Sequence, residues 1–187
     1  MKGFIGIDEV GRGCWAGPLL VVAARVSGEL PNGLRDSKLL SKKRRESLFN
    51  EIALSCQLGE GWVEPDEIDQ LGLTEAMRLG VSRALASIKA VITDQIVMDG
   101  NINYCSKDFV NVTCVVGADA SHPIVSAASI YAKVLRDRHM AEQAKIYPEY
   151  GFEKHVGYGT KTHSDALRQH GICDLHRKSY KPVRLFL

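Results

Sequence analysis

The hydrophobic and polar positions of this 187-residue chain follow two different periods. Short runs rich in Val, Ile and Leu predict β-strands, whereas apolar residues at every third or fourth position predict helices. The strand pattern occurs in residues 3–9, 19–26, 57–63, 96–98 and 110–116. The helix pattern occurs in about 42–54, 74–91, 123–147 and 164–170, with Ser41 and Ser121 as expected N-caps of the first and third helices.

The order of these elements, β-β-α-β-α-β-β-α, predicts an α/β fold with a mixed five-stranded sheet flanked by helices. The first three strands are close in sequence and are expected to form an antiparallel meander. Pro148 and Gly151 are expected to end the long helix, which leaves residues 148–187 as a basic, helical C-terminal extension. Because no linker or repeat divides the chain, we expect residues 1–187 to form a single domain.

Acidic residues stand at the ends of three predicted strands. Asp8 and Glu9 end the first strand, Asp99 ends the fourth, and Asp119 follows the fifth. Strand ends at one edge of an α/β sheet converge, and ligands bind at that edge. Converging carboxylates repel one another unless hard cations such as Mg²⁺ or Mn²⁺ bind between them. Two such ions can clamp the attacking and leaving oxygens of a phosphodiester displacement.

Each acid also has a purely structural interpretation. Asp8 and Glu9 are typical of a solvated strand end, Asp99 before Gly100 suits a turn, and Asp119 suits a helix entry. Neighbouring residues of a strand face opposite sides, so Glu9 reaches the same site as Asp8 only through strand twist or its longer side chain.

A glycine-rich turn follows the first two acids directly. Gly11 and Gly13 leave backbone that a bulky ligand can approach closely, and Arg12 between them can bind an anion. The turn therefore favours a phosphate-bearing ligand beside the acids.

Asp137 lies on an otherwise apolar face of the long predicted helix. Two interpretations stay open: an ion pair with a basic neighbour (Lys133, Arg136 or Arg138), or an acid that faces the metal site. The basic and acidic run 136–138 as a whole is expected on a solvated face.

Composition narrows the class of protein further. The 45% hydrophobic and 25% charged content is typical of a globular protein, and no apolar run is long enough to span a membrane, so we expect a cytoplasmic protein. Residues 133–187 hold 11 Lys and Arg against 6 Asp and Glu, which suits a polyanionic partner. The five cysteines contain no CxxC pair and are expected to be free thiols. The six histidines form no metal-binding pair, so surface or capping positions are expected for most of them.

Taken together, these motifs closely resemble bacterial ribonuclease HII, the type 2 ribonucleases H. The similarity runs over nearly the whole chain. Its motifs are 8–13 (Asp-Glu-Val-Gly-Arg-Gly), 16–18, 36–38 (Asp-Ser-Lys), 98–101, Asp119, 126–130, Lys133, 136–140 and 157–158.

The resemblance implies a ribonuclease H-like fold and an endonuclease that cuts the RNA strand of RNA/DNA hybrids. It also implies cleavage 5′ of single ribonucleotides in duplex DNA, with a 3′-hydroxyl and a 5′-phosphate as products. Matched by position, the implied metal-binding catalytic residues are Asp8, Glu9, Asp99 and Asp119. The implied substrate contacts are Gly11, Arg12 and Gly13, which read the 2′-hydroxyl, with Lys38 and with Tyr158, which stacks on a sugar. Ser126, Lys133 and Asp137 are expected to support the metal ligands from outside their coordination shell.

The chain departs from the family pattern at two places. Gly117-Ala118 replaces the usual Lys-Gly before the fourth acid, and Val156 stands where a Lys often precedes Gly-Tyr. Two consequences stay open: a lower substrate affinity, or phosphate contacts from Lys154, His155 and Lys161 instead. The resemblance favours a monomer, and it leaves the apolar tail 185–187 either bound to a sliding clamp or, as we favour, packed on the body.

Two other classes of function have to be distinguished from this one. A nuclease of the same fold that cuts only DNA has no use for the Gly-Arg-Gly turn, and a duplex with one ribonucleotide separates it from a ribonuclease. A nucleic-acid-binding protein without catalysis would bind these duplexes in Mn²⁺ and leave them intact, although intact acids at three strand ends argue against it.

Overall fold

The computed structural model describes residues 4–35 and 37–187, apart from the side chain of Lys38. In this part of the chain five strands form one sheet in the order β3-β2-β1-β4-β5. The strands are β1 (Phe4–Val10), β2 (Leu19–Val26), β3 (Cys56–Val63), β4 (Gln95–Asp99) and β5 (Val112–Val115).

The directions of the strands decide where the acidic residues meet. β1 pairs antiparallel with β2, and β2 pairs antiparallel with β3, which is the expected meander. On its other side β1 pairs parallel with β4, and β4 pairs parallel with β5. The carboxyl ends of β1, β4 and β5 therefore lie at the same edge of the sheet. The mixed five-stranded sheet predicted from the sequence is confirmed.

Helices cover both faces of this sheet. Alternate residues of the inner strand β2 face opposite layers: Leu19 and Val21 pack with α2 (Pro65–Ser87), whereas Leu20 and Val22 pack with α1 (Lys42–Ser55) and α4 (Pro123–Ile146). Both faces are thus buried, which explains the nearly continuous apolar sequence of β2. The helices are α1 (Lys42–Ser55), α2 (Pro65–Ser87), α3 (Ala118–Ser121), α4 (Pro123–Ile146), α5 (Phe152–His155), α6 (Lys161–His170) and α7 (Lys181–Arg184).

Some helix boundaries differ from the predicted ones. α2 begins at Pro65 rather than at residue 74, because Glu64 and Glu67 form a capping box and Pro65 occupies the first position. The backbone is not helical at Gly72, so this range contains two helical segments that meet at a kink. The predicted helix from residue 74 onward corresponds to the second segment, and the first segment was not predicted. α6 likewise begins earlier, at Lys161, with Thr160 as its N-cap.

The two predicted N-caps have different outcomes. Ser41 accepts a hydrogen bond from the backbone N–H of Arg44 and caps α1 as expected. The prediction that Ser121 caps α4 is wrong. His122 occupies the N-cap position, and the Ser121 hydroxyl donates to the carbonyl oxygen of Gly117 instead.

A glycine in β1 brings the long helix α4 close to the first strand. A side chain at Gly6 would collide with the backbone of α4 at Ile124 and Val125. The absence of that side chain lets α4 lie directly against β1, and the polar residues of this helix thereby come close to the end of the strand.

In the described part of the chain, all five cysteines are free thiols, as expected. No helix there combines the length and the hydrophobicity needed to cross a lipid bilayer.

Three histidines lie buried in the C-terminal part of the chain, in contrast to the expected surface positions. His163 Nδ1 donates to the carbonyl oxygen of Tyr158 at 3.0 Å, and His163 Nε2 accepts from His176 Nε2 at 3.0 Å. His176 Nδ1 in turn accepts from the backbone N–H of Cys173. His155 stacks on the ring of His163 at 4.5 Å. This arrangement requires both His163 and His176 to be neutral.

We expect acid to destabilise the protein through this histidine chain. Burial lowers the pKa of His163 and of His176 to about 4, below the usual value of 6.5. The unfolded chain therefore binds more protons than the folded one between pH 6.5 and 4. Stability is full above pH 6.5 and falls as the pH drops through this range, by roughly 2 kcal/mol at pH 5 for one such histidine.

Thermal unfolding at pH 7.5 and at pH 5 measures this effect in the wild type and in His176→Gln. Glutamine keeps a donor and an acceptor but does not ionise in this range, so the variant should lose less stability between the two pH values. An equal loss in both proteins would contradict the assignment.

Candidate active site

A cavity of about 450 Å³ lies at the edge of the sheet where β1, β4 and β5 end. It brings together most of the residues that the sequence nominated. Those that line it are Asp8, Glu9, Gly11, Arg12, Gly13, Asp99, Asp119, Lys133 and Tyr158, and the sequence analysis did not nominate its further members Val10, Ser37 and Ser129 as site residues.

Asp8 and Glu9 both reach the cavity, although they are neighbours on a strand. Asp8 is only 7% exposed, and its Oδ1 accepts the backbone N–H of Glu9 at 2.8 Å. The hydroxyl of Ser129 on α4 also hydrogen-bonds the Asp8 carboxylate. Glu9 is partly exposed and lies 3.6 Å from the guanidinium of Arg12. The position at the strand end thus allows adjacent side chains to share one cavity.

Asp99 and Asp119 come from the two following strand ends. Asp99 is the last residue of β4, and its Oδ1 accepts the backbone N–H of Ala118 at 2.8 Å. Asp119 lies in the first turn of the short helix α3, directly after β5, and is buried. Ser126 donates to the carbonyl oxygen of Asp119 at 2.5 Å and fixes that turn against α4. Asp119 is therefore a helix-entry residue and a cavity residue at once.

The acids at the cavity carry an electrostatic penalty. Burial raises the pKa of Asp8 to about 8, and repulsion from Glu9 and Asp99 adds to this effect. Burial also raises the pKa of Glu9, which the Arg12 guanidinium partly offsets. Hard oxygen donors whose charge is buried at such a cost fit a divalent cation, which stabilises the ionised form.

The acids do not form a compact coordination sphere on their own. Within residues 4–35 and 37–187, no three His, Cys, Asp or Glu side chains are gathered closely enough to hold one ion. The oxygen donors of the cavity fit Mg²⁺ or Mn²⁺. The positive charge of a bound cation would draw these carboxylates closer together.

The two glycines of the turn have different surroundings. Gly11 has a φ of +86°, and a side chain there would collide with the guanidinium of Arg136, so the protein itself requires glycine at this position. At Gly13 a side chain would meet nothing within 4 Å. Gly13 lines the cavity, so a ligand there can approach its backbone closely.

Tyr158 presents its ring at the opposite wall of the cavity. The ring is 41% exposed. Three hydrogen bonds hold the backbone of this residue: its N–H donates to His155, and its carbonyl oxygen accepts from the N–H of Thr160 and from the His163 ring. A fixed backbone beneath an exposed aromatic ring is a suitable platform for stacking.

The remaining predicted residues have mixed outcomes. Lys133 lines the cavity and forms an ion pair with Asp137 at 2.8 Å. Of the two interpretations of Asp137, the ion pair with a basic neighbour is therefore the one observed. Asp137 itself does not line the cavity. Asp36 and the side chain of Lys38 lie outside the described residues, so the position expected for the Lys38 amine stays a prediction.

Sequence reasoning missed several residues that shape the site. Ser129 follows Ser126 by nearly one helical turn on a mainly apolar face, and this spacing is the signal that was available. Ser37 lies 3.2 Å from Ser129 through their hydroxyls. Arg136, expected on a solvated face, is completely buried, and so is Arg177. No local pattern distinguishes such arginines from surface residues, because their partners are distant backbone carbonyls.

The positions that depart from the family pattern also have defined roles. Val156 adopts a positive φ of 44°. It packs against a cluster of buried apolar residues, the C-terminal apolar cluster, which consists of Ala16, Met140, Ala144, Tyr150, Phe152, Ala166 and Leu167. His155 is buried and hydrogen-bonds the carbonyl oxygen of Tyr150, so the expectation that it contacts phosphate is wrong. Lys154 and Lys161 are exposed.

Comparison with known proteins shows the family of the chain and its fold. The family model described as ribonuclease HII matches residues 5–183. The ribonuclease HII of Shewanella pealeana is 45% identical over 186 residues, covering 97% of this chain and 89% of that protein. The structure of the PCNA:RNase HII complex from Archaeoglobus fulgidus contains a chain that matches with a TM-score of 0.82 at 27% identity, covering 96% of this chain and 95% of that one.

A more distant structure shares the fold alone. Bst-RNase HIII in complex with Mn²⁺ matches with a TM-score of 0.70 at 18% identity, covering 98% of this chain and 68% of that one. The ribonuclease H-like fold expected from the sequence is thus confirmed, and the chain belongs to the ribonuclease HII family.

Proposed function

We propose that this protein hydrolyses the RNA strand of RNA/DNA hybrids and cuts duplex DNA 5′ of a single embedded ribonucleotide. The products would carry a 3′-hydroxyl and a 5′-phosphate. As a member of the ribonuclease HII family, the chain is a metal-dependent endonuclease of the ribonuclease H type. The observation that supports the proposal best is the shared cavity, in which buried acids lie beside a glycine turn and an exposed aromatic ring.

The acidic side of the cavity would hold two divalent cations, Mg²⁺ or Mn²⁺. Their proposed ligands are Asp8, Glu9, Asp99 and Asp119. Cations at this place would stabilise the charge that develops on the attacking and leaving oxygens of the phosphodiester. Ser129 and the N–H of Glu9 orient Asp8, and the N–H of Ala118 orients Asp99. Ser126 fixes the turn that carries Asp119.

The other side of the cavity would recognise the substrate. The backbone of Gly11–Gly13 offers polar groups to the 2′-hydroxyl, which is the local difference between RNA and DNA. Arg12 and Lys133 place positive charge near the phosphates, and Lys133 is kept in position by Asp137. Tyr158 would stack on a sugar. A nuclease that acts only on DNA would have no need of the glycine turn.

The C-terminal extension would belong to the same catalytic domain, residues 1–187, and would contact the substrate from residue 148 onward. Contact with a sliding clamp through its tail is a further proposal. Leu185 and Leu187 are 80% and 70% exposed, whereas Phe186 packs against the C-terminal apolar cluster. The tail is thus anchored by one side chain and leaves two leucines for a partner.

Replacement of the acids tests the proposed chemistry. We expect Asp8→Asn and Asp99→Asn each to lower the rate of Mn²⁺-dependent cleavage by about 10³-fold, because metal-ion stabilisation contributes several kcal/mol and about 1.4 kcal/mol is a factor of ten. The measurement uses three duplexes in each metal: all-DNA, DNA with one ribonucleotide, and an RNA/DNA hybrid.

Asp108→Asn is the matched control, since Asp108 lies exposed on a loop outside the cavity. Thermal unfolding in Mn²⁺ supplies a second readout: the cation should stabilise the wild type and Asp108→Asn more than the two cavity variants. Full activity of Asp8→Asn or Asp99→Asn would refute the assignment.

The two glycines of the turn allow a second test. Gly13→Ala should change the free energy of unfolding by less than about 0.5 kcal/mol, because its methyl group enters open space. The methyl group would obstruct a substrate there, and we expect kcat/KM on the ribonucleotide duplex to fall by about 10–100-fold, as for a misplaced reacting group.

Gly11→Ala provides the contrast. The strained φ and the contact with Arg136 should destabilise the fold by about 1–3 kcal/mol. Chemical denaturation and cleavage kinetics measure both variants. If Gly13→Ala cleaved as fast as the wild type, the turn would not contact the substrate.

A further inference from the structure

Two completely buried arginines lie beneath the glycine turn. Arg136 and Arg177 are each 0% exposed. None of the ion pairs among the described residues includes either of them. A buried charge without an ionic partner is costly, so its donors must be satisfied by other groups. Here those groups are backbone carbonyls of the segment between β1 and β2, together with Val156.

Arg177 fixes the middle of the glycine turn. Its Nη1 donates to the carbonyl oxygen of Arg12 at 3.0 Å, and its Nε and Nη2 both donate to the carbonyl oxygen of Gly17 at 3.0 and 2.8 Å. The hydroxyl of Tyr180 donates to the same Arg12 oxygen at 2.7 Å and accepts from Arg177 Nη1 at 2.9 Å. Two donors therefore hold one peptide carbonyl.

The segment that carries these two donors is itself anchored. The carboxylate of Asp69 on α2 accepts hydrogen bonds from the backbone N–H groups of Lys178 and Ser179 and from the Ser179 hydroxyl. The Tyr180 N–H donates to the Arg177 carbonyl oxygen and closes a turn. The donors at Arg12 thus belong to a fixed support rather than to a mobile tail.

The orientation of the Arg12 carbonyl decides where the next amide points. No cis peptide bond occurs among the described residues, so the carbonyl of Arg12 and the N–H of Gly13 lie in one peptide plane and point in opposite directions. The carbonyl faces Arg177 and Tyr180, and the Gly13 N–H therefore faces away from them. Gly13 lines the cavity, and no described residue accepts this N–H. A hydrogen bond from a cation to the carbonyl also polarises the peptide and strengthens the N–H as a donor.

We infer that Arg177 and Tyr180 are positioning residues for ribonucleotide recognition: they hold the Arg12–Gly13 peptide so that the Gly13 N–H is presented to an oxygen of the ribonucleotide. The inference rests on the proposed function and adds to it two residues that lie more than 160 positions away from the turn. Neither residue lines the cavity, so neither contacts the substrate from it.

The decisive variant is Tyr180→Phe, which removes one donor and keeps the aromatic ring beside Arg177. The measured quantities are kcat/KM for a DNA duplex with one ribonucleotide and the inhibition constant of the all-DNA duplex as a competitor, both in Mn²⁺. We expect kcat/KM to fall about tenfold, as for the loss of one polar hydrogen bond, while the inhibition constant and the Tm stay at wild-type values.

Tyr150→Phe is the matched control. Its hydroxyl also donates to a backbone carbonyl in the C-terminal part, that of Gly171 at 3.1 Å, but it does not touch the turn. In this variant, kcat/KM for the ribonucleotide duplex and the inhibition constant of the all-DNA duplex should keep the same ratio to each other as in the wild type. Arg177→Lys is the second test variant: one ammonium cannot replace three N–H donors aimed at two carbonyls, so we expect a larger loss, about a hundredfold, in the same ratio.

The outcomes separate the inference from the function on which it rests. If Tyr180→Phe and Arg177→Lys keep the wild-type ratio, or if kcat/KM and inhibition weaken in parallel, the positioning role is refuted. A loss of the same size in Tyr150→Phe would refute it too. If the wild type leaves the ribonucleotide duplex intact, the proposed function fails and the inference with it.

Discussion

The burial of the Arg136 guanidinium is the interaction on which the geometry of the site depends. From the long helix α4 it donates to the carbonyl oxygens of Pro18, Ala16 and Val156. It thereby joins the helix, the segment after β1 and the segment before Tyr158. Gly11 lies directly against it, so the start of the glycine turn packs on this one side chain.

Buried charges of both signs lie at or near the cavity, and each sign is stabilised in a different way. The acids lie among like charges: burial and this repulsion together raise the pKa of Asp8, and a bound divalent cation would relieve the repulsion while keeping the acids ionised. The two arginines are buried without ionic partners, and peptide dipoles satisfy them. Positive charge therefore lies behind the glycine turn, and negative charge lies at the strand ends. A nucleic acid with bound cations would complement both halves of this arrangement.

The sequence was sufficient for the parts that depend on local pattern. Hydrophobic periodicity predicted where the strands end and which acids and glycines follow them. The rules of parallel sheets predicted that these strand ends meet at one edge. The buried positions of Arg136, Arg177 and His163 were not predictable in this way. A charged residue in a charged run is usually solvated, and its burial depends on carbonyls contributed by remote segments. The predicted start of α2 was also too late, because the backbone is not helical at Gly72 and the helical segment before this glycine was not predicted.

The short bridge between Ala16 and His176 has a consequence for the order in which the site is assembled during synthesis. A chain emerging from the ribosome exposes its N-terminal segments before its last residues appear. All four acids precede residue 120, whereas Arg177 and Tyr180, which hold the Arg12 carbonyl, come after residue 170. The proposed cation ligands are thus synthesised well before the residues proposed to position the turn.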